Sequence, residues 1–176
     1  MRAVLERNGF AVEAEMPLMI CSNEELAPIA DPDGIEFVVA TEMKDVVAAL
    51  EVQCEAFGDP PPDDTTIQRQ FRMANQDLVL LLARDKSIGE PAGAGMTVPP
   101  IDGVTEVAGI AVKATFRKRG IAATLSYRLS RLALDRGVQT LFLSPASDEG
   151  ERVYGRVGFH SVSGILHMAL PVVHSE

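Results

Sequence analysis

Hydrophobic and polar residues recur along the chain with two periods, and the first half predicts a strand, two helices and a second strand. Residues 34–42 (GIEFVVATE) are rich in β-branched and aromatic residues, which is typical of a strand. Apolar residues at three- and four-residue steps through 44–58 predict an amphipathic helix. The three prolines of the loop 58–64 cannot continue that helix, and helical spacing returns over 63–75. The apolar run 77–85 then predicts a buried strand.

The second half predicts a hairpin, a long helix and a closing helix–strand unit. Residues 91–98 and 103–112 have strand character, and a helix is predicted between Gly120 and Gly137. Its apolar stripe consists of Ile121, Leu125, Leu129, Leu132 and Ala133. A strand over 138–144, a short helix that ends at Gly158 and strand character over 161–173 follow. From residue 35 the order is β-α-α-β-β-β-α-β-α-β-β. This order predicts an α/β fold (an α+β mixed sheet) with helices on both faces.

One internal similarity concerns the N-terminus. The stretch from Val4 (VLERNGFAVEAEMPLM) aligns without gaps with the stretch from Val153 (VYGRVGFHSVSGILHM), with five identities over 16 residues. Such a match is compatible with chance, because helix–Gly–strand is a common pattern, or with the remnant of a truncated second repeat. In the second case residues 1–20 form a helix end and two short strands, with Leu5 in the place of Tyr154. We therefore expect an extension over 1–35 and the main domain over 36–176.

Composition and charge restrict the class of protein. The 176 residues are 47% hydrophobic and 23% charged, which fits one globular domain with a real core. No apolar run is long enough to cross a membrane, and charge comes too early for a signal peptide, so a cytoplasmic location is expected. The net charge of −9 argues against nucleic-acid binding. The two cysteines, Cys21 and Cys54, have no metal-ligand or disulfide pattern, and no metal is expected.

A basic turn, RKRGIA at 117–122, interrupts this acidic sequence just where the long helix begins. The first N–H groups of a helix have no internal partner and carry partial positive charge. Gly120 lets a ligand approach the backbone, and the small Ala122 keeps the first turn open. Three cations in a row add to the positive potential, so the turn predicts a pyrophosphate site, with a solvated basic turn as the alternative. The turn lacks both the Walker and the Rossmann glycine patterns.

Two motifs together resemble the GNAT superfamily of N-acetyltransferases. VKATFRKRGIAATL, residues 112–125, is similar to its acyl-CoA signature, with Arg117, Gly120 and Ala122 in the Arg/Gln, Gly and Gly/Ala places. VYGRVGF, residues 153–159, is similar to a second marker, a Tyr four residues before Gly-Phe. The two motifs are separated by one helix and one strand, as in the family, and the resemblance extends over about 36–170.

The resemblance implies an acetyl-CoA site on named residues. The strand before the turn would hold the pantetheine arm, and its matching residues are Ile110, Ala111 and Val112. The turn would hold the pyrophosphate through backbone N–H groups of Arg117, Lys118, Arg119, Gly120, Ile121 and Ala122. Ser147 occupies a position where many members have an Asn that contacts the CoA arm; the shorter side chain puts that contact in doubt.

The resemblance also implies catalytic roles. Tyr154 matches the general acid that protonates the leaving thiolate, and Glu106 lies where some branches carry a general base. An alternating strand would place Glu106 and Ile110 on one face, unless a bulge at Gly109 intervenes. Each residue has a structural alternative: a buried Tyr with a satisfied hydroxyl, and a Glu at a strand end facing solvent. Asp63 and Asp64 either line the acceptor entrance or are solvated loop acids.

The sequence therefore predicts an N-acetyltransferase that transfers the acetyl group of acetyl-CoA to a primary amine of a small molecule or peptide. Direct attack in a ternary complex is favoured, because neither cysteine suggests an acyl-enzyme. The alternatives are a non-catalytic, regulatory domain that binds acyl-CoA and an interaction module that binds no nucleotide. A homodimer is possible, and no membrane or nucleic-acid partner is expected.

Overall fold

A computed structural model describes residues 2–76 and 78–171 of the chain. The described helices and strands are α1 (Arg2–Arg7), β1 (Ala11–Ser22), β2 (Ile35–Val39), α2 (Met43–Phe57), α3 (Asp64–Ala74), β3 (Val79–Asp85), β4 (Pro91–Thr97), β5 (Val104–Val112), α4 (Ile121–Asp135), β6 (Thr140–Leu143), α5 (Asp148–Val157) and β7 (His160–Ala169). The predicted alternation of strands and helices is confirmed over 35–169. Instead of the two closing strands, the described residues contain the single strand β7.

The strands form one mixed sheet with the order β2-β3-β4-β5-β6-β1-β7. Neighbours are antiparallel except β5 and β6, which are parallel and pair only over Val104–Glu106 with Thr140–Phe142. Strand β5 continues to Val112, well past the last of these pairs. The two strands therefore separate beyond Glu106, and this opening positions the site described below.

Helices cover both faces of the sheet, as the sequence predicts. Along β3, Leu80 and Leu82 pack with α2 and α3, whereas Val79 and Leu81 pack with α4 and α5. This alternation explains why β3 is apolar throughout: both faces of the strand are buried. On β4, glycines allow α4 to lie close to the sheet. A Cβ at Gly95 would approach the Ile110 side chain to 2.4 Å and that of Leu129 to 3.0 Å.

The N-terminal segment is an integral part of this sheet. The sequence predicted two short strands over 1–20, and this is wrong: β1 is one strand of 12 residues inserted between β6 and β7. Its inner end is buried at Met19 and Cys21, which join the core under α4. A continuous strand is favoured because it pairs on both sides, with β6 and with β7.

The pairing of β1 with β7 has an internal twofold symmetry. Met16 pairs with Ile165, and these two residues are as far apart in the sequence as Val4 and Val153, where the two similar stretches begin. The pair Ala11–Ala169 corresponds, with the strands exchanged, to the pair Ile20–His160. The same exchange relates all the other β1–β7 pairs and also the two register shifts. A pseudo-twofold axis therefore passes between the strands at Met16 and Ile165.

The helix ends that precede the two strands match as well. Phe10 N donates to Leu5 O at 3.1 Å, and Phe159 N donates to Tyr154 O at 3.1 Å. The glycine before each phenylalanine has a positive φ, 86° at Gly9 and 111° at Gly158. The internal similarity of the sequence thus corresponds to two helix–turn–strand units with the same hydrogen bonds and a symmetric pairing.

Candidate active site

A cleft of about 660 Å³ lies where β5 and β6 separate. On the β5 side it is lined by Ile110, Ala111 and Val112, and on the opposite side by Ser147 and residues of α5. Residues of the basic turn and the first turn of α4 form its end. The structure thus brings together in one cleft most of the residues that the sequence predicted for acetyl-CoA. Of the predicted residues, Arg119 alone does not line it.

The backbone of the basic turn forms a cradle of free N–H groups. Those of residues 118 to 123 have no hydrogen-bond partner among 2–76 and 78–171. Lys118 and Gly120 both have positive φ, 62° and 84°. A left-handed lysine is an uncommon and costly conformation, which persists only where its surroundings demand it. Successive N–H groups at a helix start favour a bound anion.

The three cations of the turn have different roles. Arg117 and Lys118 line the cleft, and Arg117 Nε also donates to Val112 O at 3.4 Å. The Arg119 side chain does not line the cleft, whereas the prediction for this residue concerned its backbone N–H. Its guanidinium donates to Asp33 O at 3.3 Å and lies 3.9 Å from an Asp85 carboxylate oxygen. It also lies over the Phe116 ring at 5.4 Å, so Arg119 ties the turn to the neighbouring loops.

Tyr154 lines the same cleft from the last turns of α5. Burial raises the pKa of its phenol above the ordinary 10.0, so the hydroxyl is protonated at neutral pH. Among the described residues the hydroxyl has no hydrogen-bond partner, and the ring packs edge-on against Phe159 at 6.5 Å. Ser147 caps α5 by accepting a hydrogen bond from Gly150 N at 3.2 Å. Its hydroxyl therefore positions the helix that carries Tyr154.

A bulge at Gly109 and Ile110 divides β5 into two parts. Opposite β4, the register shifts between the pairs Ala94–Ala111 and Met96–Ala108. Gly109 has φ +60°, and Gln53 Nε2 on α2 donates to its carbonyl oxygen at 2.8 Å. Beyond the bulge, Ile110 packs on the α4 side, so it does not share a face with Glu106. The bulge at Gly109 therefore interrupts the regular alternation that would have placed Glu106 and Ile110 on one face.

A second cavity, of about 630 Å³, lies on the α2 side of the bulge. Its walls are mainly apolar, from Leu50, Phe57 and Met96, and it is closed by the proline-rich loop. Gly109 lines this cavity, whereas the next residue, Ile110, lines the first cleft. Phe57, 56% exposed, borders both. The two spaces therefore meet at the bulge.

The three acidic residues that the sequence singled out differ in their position relative to the two cavities. Asp63 lines the second cavity and caps α3, whereas Asp64 does not line it. Glu106 is half-buried at the last β5–β6 pair and lines neither space. Because side chains alternate along a strand, Glu106 lies on the same face as Ala108, which pairs with the cavity residue Met96. It is thus on the α2 side, below the bulge.

The family model for the Acetyltransferase (GNAT) family matches residues 31–159. The chain belongs to this family. The match contains the basic turn, Tyr154 and both cavities, and it leaves out β1 and β7. Membership confirms the predicted family and the mixed α/β fold, and the family is one of acetyltransferases.

Solved structures of GNAT proteins have the same fold as this chain. A GCN5-related N-acetyltransferase from Kribbella flavida is 23% identical to this chain, with a TM-score of 0.80. The alignment covers 99% of this chain and 65% of the Kribbella protein. One from Sphaerobacter thermophilus is 23% identical with a TM-score of 0.74, covering 94% and 54%. A tandem GNAT protein from the clavulanic acid biosynthesis pathway is 13% identical with a TM-score of 0.72, covering 95% and 57%. This GNAT chain thus spans 54–65% of these longer proteins. No curated protein sequence matched it.

Several site residues of this GNAT domain escaped the sequence analysis. Gln53 was hidden in a helical pattern, although a polar residue between buried positions of α2 was a usable signal. Phe57 came just before a loop and carried no motif. Glu149 and Arg156, which also line the cleft, lie near the Tyr154 marker, and no motif pointed to them.

Within 2–76 and 78–171, no group of three or more His, Cys, Asp or Glu side chains is arranged to hold a metal ion. In that same part of the chain, no helix combines the length and hydropathy that a membrane crossing requires.

Proposed function

We propose that this GNAT domain transfers the acetyl group of acetyl-CoA to a primary amine by direct attack in a ternary complex. The observation that carries the proposal is the meeting of the two spaces at Gly109 and Ile110. One space has a cationic end with free N–H groups, and the other has mainly apolar walls. A nucleophile in the second can reach an acyl group in the first without a covalent enzyme intermediate.

The residues of the cleft fit acetyl-CoA. Its pyrophosphate matches the free N–H groups of 118–123, with Arg117 and Lys118 as the nearby cations. Strand β5 beyond the bulge has no β6 partner, so the backbone of Ile110 to Val112 is available to the pantetheine amides. When bound, acetyl-CoA supplies a thioester, whose carbonyl carbon is open to attack by an amine.

The chain's own groups then handle the protons. In the transfer, a C–N bond forms, the C–S bond breaks, and one proton moves from nitrogen to sulfur overall. Tyr154, kept protonated by burial, donates to the departing sulfur. Glu106, on the acceptor side, takes the proton of the attacking nitrogen through water, because it does not line the cavity itself. The buried bulge carbonyl is held by Gln53, which fixes the strand during the reaction.

Calorimetric titration of acetyl-CoA tests the site, with Gly120→Glu as the variant and Gly89→Glu as its matched control. Both glycines have positive φ, 84° and 72°, and neither Cβ would have a neighbour within 4 Å. The two substitutions therefore add similar backbone strain and the same charge. We expect Gly120→Glu to lose binding and Gly89→Glu to retain it. Equal affinities in two folded variants would remove the cradle assignment.

Turnover separates this proposal from the regulatory alternative. Release of CoA thiol, measured with a panel of primary amines, is expected in the wild type. Binding of acetyl-CoA without amine-dependent release would support a non-catalytic acyl-CoA-binding domain instead. The cytoplasmic location and a homodimer remain predictions, and light scattering on the purified chain tests the second.

We also propose that residues 1–35 contain the remnant of a second GNAT-like repeat, beside the main domain at 36–176. The symmetric β1–β7 pairing supports a common origin of the two helix–strand units, as does the fit of this chain on a structure titled a tandem GNAT protein. Leu5 of the N-terminal unit occupies the position that Tyr154 has in the second unit, so the N-terminal unit lacks this general acid. Cysteine pairs at Ala11 with Ala169 and at Ile20 with His160 should both form disulfides. If only one pair forms, the symmetry is wrong.

A further inference from the structure

The cavity on the α2 side has a charge pattern that restricts the acceptor. Among the described residues that line it, the only charged side chains are two carboxylates, Asp59 and Asp63. The rest of the wall is apolar or neutral, including Leu50, Phe57 and Met96. Its volume of about 630 Å³ is in the range of sites for small molecules. Among the described residues that line the cavity, an occupant therefore meets apolar walls and charge of negative sign alone.

The two carboxylates are held at the mouth of the cavity by a stiff loop. They flank three consecutive prolines, 60–62, whose backbone φ is fixed. Asp63 Oδ1 accepts a hydrogen bond from Thr66 N at 2.7 Å, which holds the pKa of Asp63 below its ordinary value. The Asp59 carboxylate has no side-chain partner in the described part of the chain. One carboxylate is thus fixed and ionised, and the other is free to pair with a ligand.

A further polar group, Gln53, lines the same cavity beside the bulge. Gln53 is only 7% exposed, and its Nε2 is engaged by Gly109 O at 2.8 Å. For Oε1 of the same amide, no hydrogen-bond partner occurs among residues 2–76 and 78–171. Because Gln53 lines the cavity, this free amide oxygen is open to an N–H donor bound there. That donor would lie next to Gly109, where the two spaces meet.

We propose that the acceptor is a small amine with an apolar body and a second, cationic group. The reacting nitrogen donates an N–H to Gln53 Oε1, and the distal cation pairs with Asp59 and Asp63. Phe57, Leu50 and Met96 cover the apolar segment between the two ends. This inference rests on the proposed acetyl transfer, and it names the substrate class for that same site.

The test compares 1,6-diaminohexane with hexylamine, which share one reacting amine and one carbon chain. Thiol release at saturating acetyl-CoA and low salt gives kcat/KM for each. We expect the diamine to be favoured by about tenfold or more, with the preference falling as salt rises. The double variant Asp59→Asn, Asp63→Asn should remove most of the preference, because it lowers kcat/KM for the diamine far more than kcat/KM for hexylamine. Asn retains the cap of α3.

A matched control and a second variant keep the result interpretable. Asp64→Asn removes the same charge one residue away, outside the cavity, and should leave the preference unchanged. Asp59→Asn alone has no capping role and tests the idea if the double variant is unstable. Equal efficiency with the two amines, or a preference that survives in both Asp59 variants, overturns the proposed substrate class while acetyl transfer stands. Binding of acetyl-CoA with acetylation of neither amine, nor of any other, overturns the proposed function and this inference with it.

Discussion

Replacing Gly109 with alanine tests whether the bulge depends on its contact with Gln53. The new Cβ would lie 2.4 Å from Gln53 Nε2, which is closer than real contacts allow. The amide must therefore move, and its buried hydrogen bond to Gly109 O is lost, at a cost of about 1–3 kcal/mol. The φ of +60° adds about 1 kcal/mol for a residue with a Cβ. Together we expect a loss of about 2–4 kcal/mol in the free energy of unfolding.

A double-mutant cycle separates these two contributions. Gln53→Ala alone loses the same hydrogen bond, at about 1–3 kcal/mol, because the carbonyl is left unpaired. In the double variant the clash is absent, so Gly109→Ala costs only the backbone strain of about 1 kcal/mol. The sum of the two single losses should therefore exceed the loss in the double variant by about 1–3 kcal/mol, because the same hydrogen bond is counted twice.

Urea unfolding followed by circular dichroism measures each term. For a slope of about 2 kcal/mol/M, Gly109→Ala should lower the midpoint by about 1–2 M. Gly89→Ala, with φ +72° and no neighbour within 4 Å, is the control for strain alone. Additive losses within about 0.5 kcal/mol, or a Gly109→Ala variant no less stable than Gly89→Ala, would refute the reasoning.

Three further predictions concern single side chains. Tyr154→Phe should lower kcat about 100-fold or more with little change in acetyl-CoA affinity, because burial raises the pKa of the phenol and keeps it a proton donor at neutral pH. An unchanged kcat for CoA thiol release would exclude Tyr154 as the general acid. At pH 8 a thiol reagent should label Cys54 and spare Cys21, because burial raises the pKa of the Cys21 thiol from 9.0 to about 11. The contribution of Cys21 to stability is full below pH 9 and is lost as the pH rises through about 11. Rapid labelling of both thiols in the native protein would contradict this prediction. Gly158→Ala should lower the melting temperature far more than Gly9→Ala. A Cβ at Gly158 would lie 2.1 Å from Glu25 O, whereas a Cβ at Gly9 would have only a Leu170 methyl group at 3.7 Å. Equal shifts of the melting temperature in the two variants would contradict this.

The residues that line the cleft could be found from the sequence because they lie in short motifs. The basic turn, Gly120 and Tyr154 belong to two stretches that are recognisable from local pattern and spacing, and the structure brings them together in one cleft. Local sequence did not reveal the direction of Arg119, because its partners are distant in the chain: Asp33 precedes β2 and Asp85 ends β3. The fate of a surface cation depends on tertiary contacts that no periodicity contains.

The acceptor side was largely invisible for the same physical reason. Gln53 and Gly109 are 56 positions apart, and their hydrogen bond exists only once α2 has packed on the sheet. The insertion of β1 was likewise hidden, since alternation predicts a strand but not which neighbours it pairs with. The sequence similarity of the two helix–strand units was visible, whereas their symmetric pairing required the register.

A single extra residue in β5 accounts for the division of the site into two spaces. Without the bulge, side chains would alternate regularly and Ile110 would lie on the face of Glu106, toward α2. With it, Glu106 and Gly109 belong to the acceptor side, and Ile110 belongs to the α4 side, where β5 leaves β6. Gln53 holds the carbonyl at the point of change. One strand can therefore contact the acyl donor with one part and the acceptor with the other, which is the geometry that direct transfer between them requires.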